Sequence, residues 1–447
     1  MIGAARFALA VVAVTGAIGT AVRAQQADRP PLTLEELERR ALERNPTVRQ
    51  AEAAIEAARG RARQAGRLPN PVVGYTGEEI SPGPTIRGGE HGVFVEQTIP
   101  LGGKLRLSRQ VLERELSQAE AIRNLQRLRV QTAVRVAYFQ ALASERRIQM
   151  SERLSHLASD AVGVTRQLYN VGAADKPDVL EAEIEAQRAQ LDLLQAQNSR
   201  GAVWRRLAAI VGDPTLAQQP LAGSIETAIP QLQRDLAVAE LRARSPELTA
   251  ARSEIDRAQA FLGRARREPF PDLFVRGGPA YNRELLEAGP RGEPRPVGWE
   301  ASLEVGVSIP LFNRNEGSIQ AARADVVRAE EEVRRVELGI ESRLAGAWDE
   351  YLTARRSAEI YRTEVLPRSE EAYQLYLARY REMGAAYPQV LIAQRTMFQM
   401  NVEYFRALTL AWQAALRIQG FLVDEGLEAP SRAGELGSVP VRTVSEP

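Results

Sequence analysis

Hydrophobic residues follow two different periods along this chain. In Trp299–Ile309 apolar residues fill every second position and alternate with polar ones such as Glu300 and Glu304. This pattern predicts a β-strand with one apolar and one polar face. In 319–340 apolar residues recur at alternating spacings of three and four, which predicts a helix that packs along a coiled-coil seam. The chain is therefore predicted to be mainly helical, with a small β portion.

The chain contains one pattern of elements twice. Three pairs of segments match in order, at offsets of 200 to 211 residues: Asn45–Pro71 with Ser245–Pro271, Gln97–Lys104 with Val307–Arg314, and Tyr169–Glu183 with Tyr380–Gln394. This predicts two copies of one unit, a first repeat over 25–222 and a second over 223–422. The polar, Pro/Gly-rich segment 423–447 is predicted to be a disordered tail.

Each repeat is predicted to hold short helices, a β-hairpin, a long helix and a return helix. Proline and glycine mark the boundaries. The predicted elements are hairpins over 72–99 and 273–309, long helices over 104–170 and 313–383, and return helices over 177–211 and 388–422. Pro367 is predicted to kink the second long helix, because proline removes a helical hydrogen bond and clashes one turn back.

The N-terminus and the composition narrow the functional classes. Arg6, an apolar run to about Thr20 and small residues before Gln25 predict a secretory signal peptide over 1–24. The alternative is a membrane anchor, but the run is shorter than the ~20 apolar residues that a spanning helix needs. The chain has no cysteine and two histidines, so no catalytic site, cofactor or metal site is predicted. The balance of 58 basic and 57 acidic residues argues against nucleic-acid binding.

The four predicted strands have the length and alternation of strands in outer-membrane barrels. Four strands cannot close a barrel, and open strand edges are not tolerated in lipid. Two alternatives remain: a small soluble sheet, or a barrel of twelve strands supplied by three copies. In the barrel, Glu96, Glu300 and Glu304 would face a water-filled lumen, whereas in the soluble sheet they would face solvent.

The order of hairpin and long helix, together with "PLFNRNEGSI", "YNVGAADKPDVLEAE" and "YREMGAAYPQVLIAQ", resembles the TolC-type outer-membrane factors, and is most similar to their CzcC-like heavy-metal efflux branch. The resemblance implies a TolC-like α/β-barrel trimer, with a barrel in the outer membrane and a helical tunnel in the periplasm. It implies a periplasmic adaptor and an inner-membrane resistance-nodulation-division (RND) pump as partners, and passive export of heavy-metal cations. The alternatives are a multidrug or type I secretion duct, or a coiled-coil interaction protein without a pore.

The resemblance also suggests roles for the turns between the long and return helices. The adaptor-contact tips would be Val171, Gly172, Ala173, Met383, Gly384, Ala385 and Ala386. The periplasmic aperture would be lined by Asp175, Asp178, Glu181, Gln389 and Ile392. A second interpretation stays open for each set. The glycines suit left-handed helix caps without any partner, and the acidic residues suit a solvated surface.

Overall fold

The computed structural model describes residues 30–80, 89–287, 294–382, 384 and 387–434. The predicted signal peptide, the last 13 residues and three of the predicted tip residues, Met383, Ala385 and Ala386, lie outside the described residues.

The described residues of the first repeat form four helices and two strands. In chain order they are α1 Leu34–Arg44, α2 Pro46–Ala65, β1 Val72–Glu78, β2 Glu90–Ile99, α3 Lys104–Asn170 and α4 Lys176–Val211. α3 spans the range predicted from the lack of proline, and α4 begins one residue before its predicted start. Two glycines with positive φ, Gly102 and Gly103, link β2 to α3, because glycine enters that region without a steric penalty.

The second repeat has the same order with one interruption. Its elements are α5 Arg234–Arg244, α6 Pro246–Ala265, β3 Leu273–Glu287, β4 Pro294–Val307, α7 Glu316–Ile360, α8 Leu366–Arg381 and α9 Tyr387–Gln419. The predicted single helix over 313–383 is divided by a π-helical turn, Tyr361–Val365. Leu366 N–H donates to the carbonyl of Tyr361, five residues back. This wider turn lies directly before Pro367, whose ring would clash in an α-helical ladder.

The seam predicted from the three-four spacing is present on α7. Ala322, Ala329, Val336 and Ile340 are buried, and Leu344 and Tyr351 continue the buried row after the change of phase. The small side chains in this row allow neighbouring helices to approach closely. The apolar pattern of the sequence therefore identified the packed face of this helix.

The two sequence repeats are not two domains, because each compact unit draws on both. One unit contains the described residues up to Gln50, Asn124–Ser245 and Leu338–Pro430. The other contains Ala51–Arg123, Pro246–Glu337 and the described residues from Ser431. The physical reason is that the hairpins of both repeats hydrogen-bond into one sheet, and the core of the first unit takes side chains from both repeats.

In the first unit, a large apolar core is accompanied by a buried polar network. Trp412 stacks on Phe139 at 4.0 Å between ring centroids, and its indole N–H donates to the carbonyl of Ile225. Asn45, Thr47 and Gln126 are buried together, and Gln126 Nε2 donates to Thr47 Oγ1 at 2.7 Å.

Part of the segment predicted to be a disordered tail packs in the structure. Val423 is buried, and the carbonyls of Gly426 and Glu428 accept hydrogen bonds from the side chains of Asn45 and Gln126. The prediction is therefore wrong for 423–434. The composition of this segment does not reveal its packing, because most of these contacts are made by backbone carbonyls, which every residue carries.

In the second unit, the four strands form one antiparallel sheet in the order β1-β2-β3-β4. The register places Val73 opposite Val95, Val95 opposite Gly277, and Gly277 opposite Leu303. β4 ends at Val307, two residues before the predicted end of the second hairpin at Ile309. Directly opposite residues share a sheet face, so the register determines which side chains lie together.

Candidate functional site

The sheet has one apolar and one polar face, as the alternation predicts. The odd-numbered positions form the apolar face, whose exposed side chains are Val73, Tyr75, Val93, Val95, Trp299, Leu303, Val305 and Val307. Leu303 is 75% exposed and Trp299 is 77% exposed. An apolar patch this continuous is uncommon on a water-facing surface and marks contact with lipid or protein.

The predicted lumen residues Glu96, Glu300 and Glu304 all lie on the polar face, with Glu78 and Glu90. The register reveals a residue that the sequence analysis missed: Arg276 stands opposite Glu96 on one side and Glu304 on the other. Its guanidinium lies 3.8 Å from the ring centroid of Phe94. Across 72–78, 90–99, 273–282 and 298–307, Arg276 is the only basic side chain at an even-numbered position. Counting positions along β3 could have found it.

Aromatic rings cover glycines on the same polar face. A Cβ added at Gly74 would clash with the ring of Phe94, and one added at Gly306 would clash with the ring of Phe274. A ring that lies over a cross-strand glycine compensates for the glycine's lack of side-chain contacts. Phe94 therefore has two contacts: it covers Gly74 and supports the guanidinium of Arg276.

The two outer strands keep an open edge. In the described residues, β1 and β4 each have a strand neighbour on one side only. An open edge presents unpaired N–H and C=O groups that readily pair with another strand. The sheet is therefore a four-stranded piece with an apolar face, a polar face and two edges able to extend it.

The first predicted tip, Val171-Gly172-Ala173, forms a Schellman cap at the end of α3. Ala173 N–H donates to the carbonyl of Leu168 at 2.8 Å, and Gly172 N–H donates to that of Tyr169 at 3.0 Å. Gly172 has a φ of 76° and open space where a Cβ would be. Val171 is 76% exposed. The glycine thus shapes the turn, and the turn presents an apolar side chain to its surroundings.

The second tip uses a different bond at its glycine. Gly384 N–H donates to the carbonyl of Arg379, five residues back, at 2.8 Å. In the first tip this bond belongs to Ala173, not to Gly172. The matching glycines therefore occupy different positions in the two turns, because the second turn is one residue longer between its matched tyrosine and glycine.

The predicted aperture residues lie at the starts of α4 and α9. Asp178 Oδ2 accepts a hydrogen bond from the backbone N–H of Asp175 at 3.1 Å, which caps α4. Asp175 and Glu181 are exposed, and so are Gln389 and Ile392, the latter at 63%. Asp178 therefore has a structural role at the helix start, whereas the other four side chains are accessible.

Beneath these turns, α3, α4, α8 and α9 share an apolar cluster. Tyr380 and Tyr387 are buried in it with ring centroids 5.5 Å apart. Burial raises the pKa of the Tyr387 hydroxyl, because its anion would lose the stabilisation that water provides. Both tyrosines therefore stay neutral, apolar-packed side chains at physiological pH.

An ion pair links the two return helices in this region. Glu185 on α4 contacts Arg395 on α9, and Arg188 lies 2.9 Å from the same carboxylate. Burial acts to raise the pKa of Glu185, but the hydrogen bonds and charges of Arg395 and Arg188 outweigh it, so the pKa is lowered. The sequence analysis missed this pair because its members are 210 residues apart.

Among the described residues, no group of three or more His, Cys, Asp or Glu side chains could hold a metal ion.

Within the same described part of the chain, no helix is both long and apolar enough to cross a membrane.

Residues 37–213 and 237–422 match the family described as outer membrane efflux protein, one match on each repeat. The chain belongs to this family. Membership confirms the predicted resemblance to TolC-type export proteins. Because the family consists of export channels, the protein is not an enzyme.

Two relatives of this efflux protein are metal-resistance proteins. The cobalt-zinc-cadmium resistance protein CzcC of Cupriavidus metallidurans is 25% identical over 392 residues, which cover 88% of this chain and 90% of CzcC. The nickel-cobalt-cadmium resistance protein NccC of Alcaligenes xylosoxydans xylosoxydans is 26% identical over 322 residues, or 70% of this chain and 68% of NccC.

The fold of the efflux protein is similar to that of a solved outer membrane protein. The outer membrane protein VceC of Vibrio cholerae has a TM-score of 0.71 with 20% identity, over 88% of this chain and 97% of VceC. This similarity confirms the predicted fold class, in which long helices accompany a small four-stranded sheet.

Proposed function

We propose that this efflux protein is the outer-membrane exit duct of a tripartite pump. Three copies join their sheets into a twelve-stranded barrel, and their helices form a periplasmic tunnel. The observation that carries the proposal is the four-stranded sheet, which has an exposed apolar face, an acidic opposite face and two open edges. Such a sheet satisfies its backbone in lipid only when further strands close it.

Transport through the duct is passive and needs no chemistry from this chain. The barrel contacts lipid through its apolar face and holds water against Glu96, Glu300 and Glu304 on the opposite face. The helix turns at Val171–Ala173 and Gly384 dock a periplasmic adaptor, which links the duct to an inner-membrane RND pump. The pump supplies the energy, and adaptor docking shifts the helix ends between closed and open arrangements.

The cargo that the similarities favour is a heavy-metal cation. Support comes from CzcC, which matches along nearly the whole of both chains, and from the acidic face of the sheet. A duct needs no tight metal site, because cargo must leave as readily as it enters.

Three measurements test the duct and its cargo. Purified protein in a planar bilayer should give stepwise conductance, and membrane fractionation should recover the protein with the outer membrane. Deletion of its gene should lower tolerance to zinc, cobalt or cadmium and leave drug tolerance unchanged. Recovery as a detergent-independent soluble protein without conductance would refute the duct, whereas a loss of drug tolerance alone would refute the metal cargo.

The tips have their own test. Gly172→Trp combined with Gly384→Trp should abolish export and leave the trimer intact, because a bulky ring would stand where an adaptor must approach. Gly172→Ala is the matched control, since it carries the strain of a positive φ without the bulk. Normal export by the tryptophan variant would reject the adaptor contact.

A further inference from the structure

The end of β4 exposes apolar residues whose counterparts are covered. Ile309 and Leu311 are exposed, and the ring of Phe312 is 100% exposed. In the matching segment of the first repeat, Ile99, Leu101 and Gly102 are each half-buried. We call 99–102 the first junction and 309–312 the second junction. Both contain the segment "IPL", so the difference in exposure lies in what covers each junction.

The start of the second hairpin covers the first junction. Phe270 lies over Gly102, where an added Cβ would stand 2.8 Å from the Cβ of Phe270. Asp272 Oδ1 accepts a hydrogen bond from Leu101 N–H at 3.2 Å and lies 2.9 Å from Lys104 Nζ. The strand β3 that follows these residues then pairs with β2. One junction is thus completed by the hairpin start of the next repeat.

The second junction has no such cover, because no described strand lies beyond β4. The matching hairpin start in this chain is 68–73, at the far edge of the sheet. Its side chains Leu68, Asn70, Val72 and Val73 are exposed. A second copy of the chain carries the same segment and the same open β1 edge.

We propose that β4 of one copy pairs with β1 of a second copy in the register that β2 makes with β3, and that Phe312 packs against residues 68–72 of that second copy. The proposal rests on the proposed function, since it specifies how the copies of the duct join. It treats the interface as the equivalent, between chains, of a contact that each chain already makes internally.

The internal contact determines the register. Within the chain Ile99 stands opposite Leu273. The repeat places Ile309 at the position of Ile99, and Val73 at that of Leu273. Ile309 should therefore stand opposite Val73, and Val307 opposite Tyr75. These are odd-numbered residues, so the apolar face continues across the interface without a break.

Side-chain size supports the same arrangement. Inside the chain the aromatic ring comes from the hairpin start, as Phe270, and the junction supplies the small residue, as Gly102. At the interface the junction supplies the ring, as Phe312, and the hairpin start supplies the smaller residue, as Asn70. The ring thus comes from the hairpin start in one contact and from the junction in the other, and each contact pairs one large side chain with one smaller residue.

Disulfide trapping tests the register in a chain that has no cysteine of its own. Tyr75→Cys with Val307→Cys should cross-link into covalent trimers on mild oxidation. Tyr75→Cys with Val305→Cys is the matched control, on the same face but two residues out of register, where Cβ atoms are about 7 Å apart. Within one chain, β1 and β4 are three strand spacings or about 14 Å apart, so every disulfide joins two copies. We expect at least tenfold more cross-linked product from the first pair.

A rescue experiment tests Phe312. Phe312→Ala should lower the temperature at which the oligomer dissociates in dodecyl sulfate, and adding Asn70→Phe should restore it, because the ring is returned from the other side. Failure of the rescue, or equal cross-linking by both cysteine pairs, would overturn the inference. Light scattering, which gives the oligomeric state, separates a failure of the register from a failure of the proposed function. A conducting trimer that cross-links at neither pair refutes the register alone. A monomer without conductance refutes both the register and the proposed duct.

Discussion

Asn45 is predicted to be one of the most sensitive positions in the first unit. Its side chain is fully buried and makes four hydrogen bonds. Its Oδ1 accepts from the backbone and hydroxyl of Thr47 at 2.9 and 2.6 Å. Its Nδ2 donates to the carbonyls of Ile210 at 2.7 Å and Gly426 at 3.2 Å. One amide thus caps α2 and holds both the end of α4 and the C-terminal segment.

The expected cost of Asn45→Ala has two parts. Loss of the helix cap costs about 1 kcal/mol. The carbonyl of Ile210 also loses the amide donor in a buried environment, which costs about 2 kcal/mol. The carbonyl of Gly426 keeps a bond from the Thr47 hydroxyl and adds little. The free energy of unfolding should therefore fall by about 3 kcal/mol, or about a hundredfold in the unfolding equilibrium.

Asn45→Ser separates the two parts. Serine caps a helix as well as asparagine does but has no amide group to reach Ile210, so this variant should lose about 2 kcal/mol. Urea unfolding in detergent, followed by tryptophan fluorescence, reports the effect through Trp204 and Trp412, both buried in the same unit. Limited proteolysis should also cut more readily near Gly426 in both variants. If Asn45→Ser unfolds at the same urea concentration as the wild type, the amide contacts contribute nothing and the reasoning is refuted.

Three further predictions concern the sheet, the return helices and the π-helical turn. Arg276→Gln should increase the preference of the channel for cations, measured as a shift in reversal potential under a salt gradient, because it removes a positive charge beside two carboxylates; an unchanged potential would place Arg276 outside the conducting path. The contact of Glu185 with Arg395 should be complete above the ordinary glutamate pKa of about 4.3 and weaken as pH falls through the lowered pKa of the folded state, so hydrogen exchange at the start of α9 should rise in acid. In Glu185→Gln that pH dependence should disappear, and its persistence would assign it to another group. Pro367→Ala should raise thermal stability slightly, because Tyr361–Val365 could then return to an α-helical ladder; a lower melting temperature would show that packing, not proline, stabilises the π turn.

Local pattern was enough to predict the elements and their exposed faces. Alternation identified the faces of the strand Trp299–Val307, and the three-four spacing identified the buried seam of α7. Proline and glycine marked the long helix Lys104–Asn170. These features depend on residues within a few positions of one another, so backbone geometry translates them directly into structure.

Contacts between distant residues were beyond such reasoning. The position of Arg276 between Glu96 and Glu304 depends on the register of three strands, which alternation alone leaves free to slip by two residues. The role of Asp178 depends on whether its carboxylate turns inward to the backbone of Asp175 or outward to water. Both choices are compatible with the same sequence motif.

By itself, then, the sequence determined the duplication, the long helices, the two-faced strands and the resemblance to export ducts. Each of these depends only on the local spacing of residues or on the order of segments. Only the tertiary structure decided how the repeats share one sheet, how the segment from Val423 packs, and which carboxylates meet arginines. Those outcomes depend on hydrogen bonds and charges between residues far apart in the sequence, up to 381 positions for Asn45 and Gly426, whose geometry is created only when the chain folds.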